Sequence, residues 1–292
     1  MNAAQTSGAI ELWSRHRKKM PAATIELYPD STPLVRYPLD RLAEVAEIVV
    51  RSTRLETLVV GLYLVDAISA RLRATGEYHG ITLGVPYSPG ARQDRMLGED
   101  GSDVLVTARS VAEDIERRLW KADAWCVDRH SSNYRVPRSV PVAPMMLETF
   151  AGEGYTSVVA PDVGATRRAS EVAKMLSLPL VAGAKERDPV TGRLRYLGLD
   201  GTAPGSAPLV VDDICDGGGT FLALAEGLPR GCEPTLFVTH GLFTKGTREL
   251  LDRFARIITT DTVSANRDGV DVVEIVDKIA LREIGAERGS EK

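Results

Sequence analysis

The 292-residue chain is poor in everything that would tie it to a membrane, a nucleic acid or a disulfide framework. Its three cysteines, Cys126, Cys215 and Cys232, stand far apart with no C-x-x-C, which argues against both a disulfide scaffold and a zinc knuckle. No apolar run approaches the roughly 20 residues that span a bilayer. The formal net charge is only -4, so no global field draws the chain to nucleic acid or an anionic membrane, and any anion site must be local. The N-terminus has no signal-peptide core, because its basic cluster follows the apolar residues and no long apolar segment succeeds it. A Walker A sequence is absent, which excludes a P-loop kinase. What remains is a chain 43% hydrophobic and 26% charged, the balance of a globular protein. The expectation is a cytoplasmic protein with reduced thiols and with neither nucleic acid nor membrane as partner.

The length suits two ordinary domains. Short β-rich runs at 23–28, 46–50, 80–87 and 123–128 in the first half, and at 156–162, 178–183, 207–213, 235–240 and 256–261 in the second, alternate with helical stretches. The clearest helix runs from Leu55 to about Ala74, with Leu55, Leu58, Val59, Leu62, Val65, Ile68 and Leu72 at helical spacing and Ser52 or Thr53 as its cap. Residues 167–176 and 221–228 are shorter candidates. Strands alternating with helices predict mainly parallel sheets joined by right-handed crossovers. A looser, Pro-rich stretch over 131–144 marks a domain boundary. Residues 187–207 read as a mobile loop, and 285–292 as a frayed tail.

The chemistry concentrates in Leu209–Phe221, LVVDDICDGGGTF. An apolar parallel strand here delivers Asp212 and Asp213 at its carboxyl end, where open α/β sheets bind ligands. Gly217, Gly218 and Gly219 follow Asp216 and leave a backbone that can press against a ligand, and Thr220 opens a helix. Exposed N–H groups aimed by a helix N-terminus form an anion cradle suited to phosphate. Paired carboxylates suit the vicinal hydroxyls of a sugar or a magnesium ion beside them. The implied ligand is a ribose 5-phosphate unit.

This stretch resembles the phosphoribosyl-diphosphate binding loop shared by type I phosphoribosyltransferases and the ribose-phosphate diphosphokinases (PRPP synthetases). Further motifs, in matching order from about Thr24 to Val276, resemble the diphosphokinases. Ala91-Arg92-Gln93-Asp94-Arg95 is similar to their ATP-gripping loop; Arg92 can fork onto phosphate oxygens and Gln93 offers a donor and an acceptor. The segment ending Asp128-Arg129-His130 resembles their Asp-x-His strand end, and Pro161-Asp162-Val163-Gly164 their Ser-Pro-Asp-x-Gly segment, with Arg168 also where the family has arginine and Gly164 turning the chain into a helix. Lys185 and Arg187 fall at the two basic positions of the catalytic flap, and His240 in a Thr-His-Gly strand end, where a structural role is expected.

The resemblance implies two tandem type I phosphoribosyltransferase-like α/β domains, each a mainly parallel sheet flanked by helices: residues 1–143 with the ATP loop, and 144–292 with the sugar-phosphate loop and flap. It implies that the anomeric hydroxyl of ribose 5-phosphate attacks the β-phosphorus of MgATP. Tyr28, Asp30, Arg92, Gln93, Asp94 and His130 would bind ATP. Asp212, Asp213, Asp216, Gly217, Gly218, Gly219 and Thr220 would bind ribose 5-phosphate, and His130, Asp162 and Asp128 would hold Mg²⁺. Lys185 and Arg187 would be catalytic, on a loop that closes. A homo-oligomer, dimer-based or hexameric, is expected. The chain departs from the family at Tyr28–Thr32, YPDST, where Asp30 is kept but Ser31 and Thr32 replace Gly and Glu of a segment that contacts the nucleotide on a neighbouring subunit. Glu186 stands where another basic residue is common. A catalytically weak paralogue with a regulatory or scaffolding role, or a type I phosphoribosyltransferase moving ribose phosphate onto a base, are the alternatives.

Overall fold

The computed structural model describes residues 10–30, 32–37, 39–94, 96, 105–119, 123–131, 137–187, 194–199, 203–263 and 268–286. Two compact units result, one of Met1–Val140 with Val276–Lys292 and one of Pro141–Ile275.

The first unit opens with β1 (Ile10–Ser14), followed by β2 (Thr24–Leu27) and β3 (Pro33–Arg36), which form a separate antiparallel hairpin. β4 (Val45–Val50), α1 (Leu55–Thr75), β5 (Thr82–Gly84), α2 (Thr107–Arg118), β6 (Ala124–Val127) and β7 (Arg138–Val140) then alternate. The five-stranded sheet has the order β1-β4-β5-β6-β7, parallel except for the β1–β4 pair. Leu58, Leu62, Val65, Ile68 and Leu72 of α1 line one buried stripe against Ile48, Val50 and Leu83 of the sheet. Burying each such side chain contributes about 1.5–3 kcal/mol. Leu55, expected on that stripe, is exposed. The expected caps of α1 are not used: Arg54 is the cap residue without a side-chain bond, and Ser52 Oγ accepts the Arg54 N–H at 3.1 Å.

In the second unit, α3 (Leu147–Phe150), β8 (Ser157–Ala160), α4 (Thr166–Leu176), β9 (Leu180–Arg187), β10 (Leu194–Leu199), β11 (Pro208–Cys215), α5 (Gly219–Gly227), β12 (Thr235–Gly241), α6 (Arg248–Leu251), β13 (Arg256–Thr260) and β14 (Asp271–Val273) build a seven-stranded sheet of order β10-β9-β8-β11-β12-β13-β14. Only the β9–β10 edge is antiparallel. Val158–Val159, Leu209–Val211 and Leu236–Val238 are solvent-inaccessible, as continuous apolar runs in a sheet covered on both faces should be. From β8 the chain first moves to one side, to β9, and then crosses to the other, to β11. The strand order therefore reverses between β8 and β11, and their carboxyl ends flank the crevice where such sheets bind ligands.

The sequence placed all of 144–292 in a second domain, but the closing helix α7 (Val276–Ala286) belongs to the first unit. Its buried residues Val276, Ile279, Ala280 and Ile284 supply the apolar contact. Arg51 pairs with Asp277, Arg138 with Glu283, and Lys19 lies 3.7 Å from Asp277 and 3.0 Å from Glu11. The stretch expected to be one mobile loop, 187–207, is also partly strand: β10 pairs antiparallel with β9, while 188–193 and 200–202 lie outside the described residues.

Candidate active site

In the second unit the acidic pair sits inside β11 rather than beyond it. Hydrogen bonding to β12 continues through Ile214–His240 and Cys215–Gly241, so the strand runs on past the apolar residues. Asp213 is buried and Asp212 largely so. Between them stands Arg168, only 5% exposed, with one guanidinium nitrogen 3.6 Å from Asp212 Oδ1 and another 3.3 Å from Asp213 Oδ2. Its place follows from helical spacing: Arg168, Ala169, Val172 and Ala173 form the buried stripe of α4. Asp212 Oδ1 also accepts the Asp213 N–H at 2.8 Å. Burial, then the Asp213 carboxylate, hold Asp212 well above the usual carboxylate range; Arg168 pulls it back and Asp162 pushes it further up. Asp162, at the end of β8, caps the turn into α4 by accepting the Ala165 N–H at 3.1 Å. Gly164 has no left-handed angle to explain it; a Cβ there would stand 3.1 Å from Asp162 Oδ1, so its small size leaves that cap free. The structure thus brings Asp162, Arg168, Asp212 and Asp213 to the strand-order reversal.

The glycine-rich turn follows directly. Gly218 is the cap residue of α5 at φ +80°, and the helix starts at Gly219, one residue earlier than expected, with Thr220 in its first turn. The Gly219 and Thr220 N–H groups have no intrahelical acceptor and carry the positive end of the helix dipole. A Cβ at Gly219 would meet nothing within 4 Å, so the cradle is open there. A Cβ at Gly218 would meet Leu250 at 3.3 Å in a left-handed backbone. Gly218→Ala is therefore expected to destabilise the unit by about 1–2 kcal/mol and distort the cradle, read by a lowered melting temperature together with weakened binding of inorganic phosphate. Unchanged values of both would show that the turn tolerates a side chain.

Asp216 holds the neighbouring turn rather than facing out alone: its Oδ1 accepts the Thr244 hydroxyl at 2.5 Å and its carbonyl the Thr244 N–H at 3.0 Å. Sequence reasoning missed Thr244 and Lys245, which come close to this loop only through the β11–β12 pairing. Burial pushes the Cys215 thiol up to about 12, with Asp216 and Asp212 adding to it, so the thiol beside the cradle stays protonated and is no nucleophile. His240 is buried with Nδ1 2.8 Å from Thr262 Oγ1, in a cluster of threonine hydroxyls around the Thr239 carbonyl, as a structural histidine would be. Lys185 and Arg187 lie in β9, opposite Tyr196 and Leu194 of β10, so both belong to an edge hairpin rather than to a loop.

The first unit gathers a second group. Val85 N–H bonds to the Trp125 carbonyl and Val127 N–H to the Pro86 carbonyl, so the loops after β5 and β6 leave the same sheet edge side by side. One carries exposed Arg92 with half-buried Gln93 and Asp94; the other carries buried Asp128, at φ +41°, and exposed His130. Arg95 lies outside the described residues. Tyr28 and Asp30 are elsewhere, at the exposed tip of the β2–β3 hairpin. There the Thr32 N–H, bonded to Asp30 Oδ1 at 2.9 Å, holds the Asp30 carboxyl below its usual range. Ser31 lies outside the described residues. Among the described residues no three His, Cys, Asp or Glu side chains gather into a closed metal site.

No family model matches the chain. It is, however, 30% identical over 284 residues to a ribose-phosphate pyrophosphokinase of Pyrococcus furiosus, covering 91% of this chain and 96% of that protein. The chain belongs to the ribose-phosphate pyrophosphokinase family. A pyrophosphokinase of Maricaulis maris is also 30% identical, over 214 residues that make up 69% of this chain and 66% of that protein. In fold, the chain is similar to the solved phosphoribosylpyrophosphate synthetase of Mycobacterium smegmatis, with a TM-score of 0.75 and 21% identity over 92% of this chain and 91% of that one.

Proposed function

We propose that the protein is a ribose-phosphate diphosphokinase that transfers the diphosphate of MgATP to the anomeric hydroxyl of ribose 5-phosphate, giving PRPP and AMP. The observation that carries this reading is the joining, at the strand-order reversal, of an Arg168-held acid pair with an open glycine cradle at the start of α5. The cradle suits the 5-phosphate and the acid pair the ribose diol, fixing the sugar at both ends with its anomeric carbon toward the crevice. The bond from the anomeric oxygen to the β-phosphorus forms as the bridge to the α-phosphate breaks, and AMP departs with that oxygen. Such transfers need positioning and charge neutralisation more than covalent help.

Arg92, Gln93, Asp94 and His130, gathered at one edge of the first sheet, are assigned to ATP. Tyr28 and Asp30 stand exposed on their hairpin, accessible to a nucleotide on a neighbouring subunit of a homo-oligomer. The residues assigned to magnesium, Asp128 and His130 in the first unit and Asp162 in the second, are carboxylate and imidazole donors, and a cation of this kind keeps several waters and is held by one or two carboxylates together with substrate phosphates. Bound there, magnesium would neutralise the triphosphate. Among the described residues no helix is long and apolar enough to cross a membrane, in keeping with a cytoplasmic enzyme.

The test is AMP release from MgATP with and without ribose 5-phosphate, followed with PRPP by phosphorus NMR. Sugar-dependent AMP in one-to-one yield with PRPP is the expected result. Folded protein silent with ATP and every other nucleoside triphosphate would sink the reading in favour of a regulatory paralogue.

A further inference from the structure

The turn after β12 is fastened to the glycine cradle at several points. Leu242 and Phe243 both donate their N–H to the Cys215 carbonyl, at 2.8 and 3.0 Å, and Thr244 bonds to Asp216 through both its N–H and its hydroxyl. The Gly246 N–H closes the turn on the Phe243 carbonyl at 2.8 Å, which puts Thr244 and Lys245 at its two central positions. Lys245 thus leaves a backbone that the cradle itself holds in place. Its side chain runs along Gly217: a Cβ at that glycine would stand 3.3 Å from both Cδ and Cε of Lys245. Gly217 leaves room for these methylenes, and the ammonium lies one bond beyond Cε. Lys245 is exposed, and among the described residues none pairs with its ammonium.

Charge supplies the second half of the case. A sugar phosphate brings close to two negative charges, whereas a helix N-terminus offers only about half a positive one. The surrounding side chains Asp162, Asp212, Asp213 and Asp216 are acidic, and Arg168 is committed to the acid pair. A full cation would match the phosphate charge, and among the described residues Lys245 is seated beside the cradle. We propose that Lys245 is a binding residue for the 5-phosphate of the sugar, a role the glycine motif does not reveal; this rests on reading the cradle as the sugar-phosphate site.

The experiment compares wild-type protein with Lys245→Gln and Lys245→Arg, measuring KM for ribose 5-phosphate, KM for ATP, and the calorimetric Kd for ribose 5-phosphate without nucleotide. Loss of one charge-assisted contact is expected to raise both sugar-phosphate constants about tenfold in Lys245→Gln and leave the KM for ATP in place, with most of the loss recovered by Lys245→Arg. High salt should narrow the gap, because an exposed ammonium is screened. Sugar-phosphate constants within about twofold of wild type in Lys245→Gln, or a rise shared equally by the KM for ATP, would overturn the assignment. Calorimetry keeps the two readings apart: wild type that binds ribose 5-phosphate through Lys245 but forms no AMP loses the diphosphokinase, not the lysine.

Discussion

Arg168→Met is expected to destabilise the second unit by about 3–5 kcal/mol, the range found when one partner of a buried ion pair is removed. Arg168 is buried on α4 and reaches both carboxylates of β11, so the variant takes the guanidinium away from two neighbouring buried acids. Denaturant unfolding at several pH values is the measurement. Burial first and Asp213 second already raise the pKa of Asp212, and a raised carboxyl group favours the folded state below the ordinary carboxylate range, a contribution lost as pH rises through the raised value. Without Arg168 the rise is larger. The deficit of the variant should therefore be greatest at neutral and alkaline pH and shrink on acidification, as protonation of Asp212 removes the uncompensated charge. Adding Asp212→Asn should restore part of the stability, a coupling expected only of groups in contact. Arg168→Lys should recover less than its charge suggests, because an ammonium cannot fork to two carboxylates. A variant within about 1 kcal/mol of wild type at every pH, with no coupling to Asp212→Asn, would show that the acid pair is held by something else.

The same residues show what was legible in the sequence. The glycine motif could be read because its chemistry is local: acids, turn and helix start lie within one short segment. Arg168 could be placed but not given a role, since its partners come from a strand more than forty positions away. Thr244 and Lys245 carried no signal of their own. They reach the cradle through pairing of β11 with β12, which also draws β11 past its apolar residues to include the acid pair. β10 was hidden in a Gly- and Pro-rich segment and forms because β9 offers an unpaired edge; β7 lies in the stretch read as a domain boundary and pairs with β6 for the same kind of reason. The position of α7 was beyond local reading: its apolar stripe fits any covered surface, and the pairing of Arg51 with Asp277 and Arg138 with Glu283 fixes it on the first unit.

The largest effect on turnover is expected of Lys185→Ala. Lys185 and Arg187 occupy alternate positions of β9 at the antiparallel edge of the second sheet, where β10 folds back on the strand. The hairpin ends the sheet, with β8 as its strand neighbour and α5 beside β10, and an element at a sheet edge suits a movement toward the crevice and back. As the bond to the β-phosphorus breaks, negative charge develops on the bridging oxygen that departs with AMP, and a cation that meets it there acts mainly in the transition state. Its loss should lower kcat by about 10²–10³, the effect of removing a single stabilising donor at a developing oxyanion. Binding of MgATP to the resting enzyme should change by less than about tenfold, because a contact made mainly in the transition state leaves ground-state affinity nearly untouched. Rapid-quench AMP formation in a single turnover separates the two quantities. Glu186→Gln supplies the sign test: it removes the negative charge that separates the two cations along the chain, so an electrostatic role for the hairpin predicts turnover at or above that of wild type. A kcat for Lys185→Ala within about threefold of wild type, or equal losses in kcat and in MgATP affinity, would assign the neutralising charge to other residues.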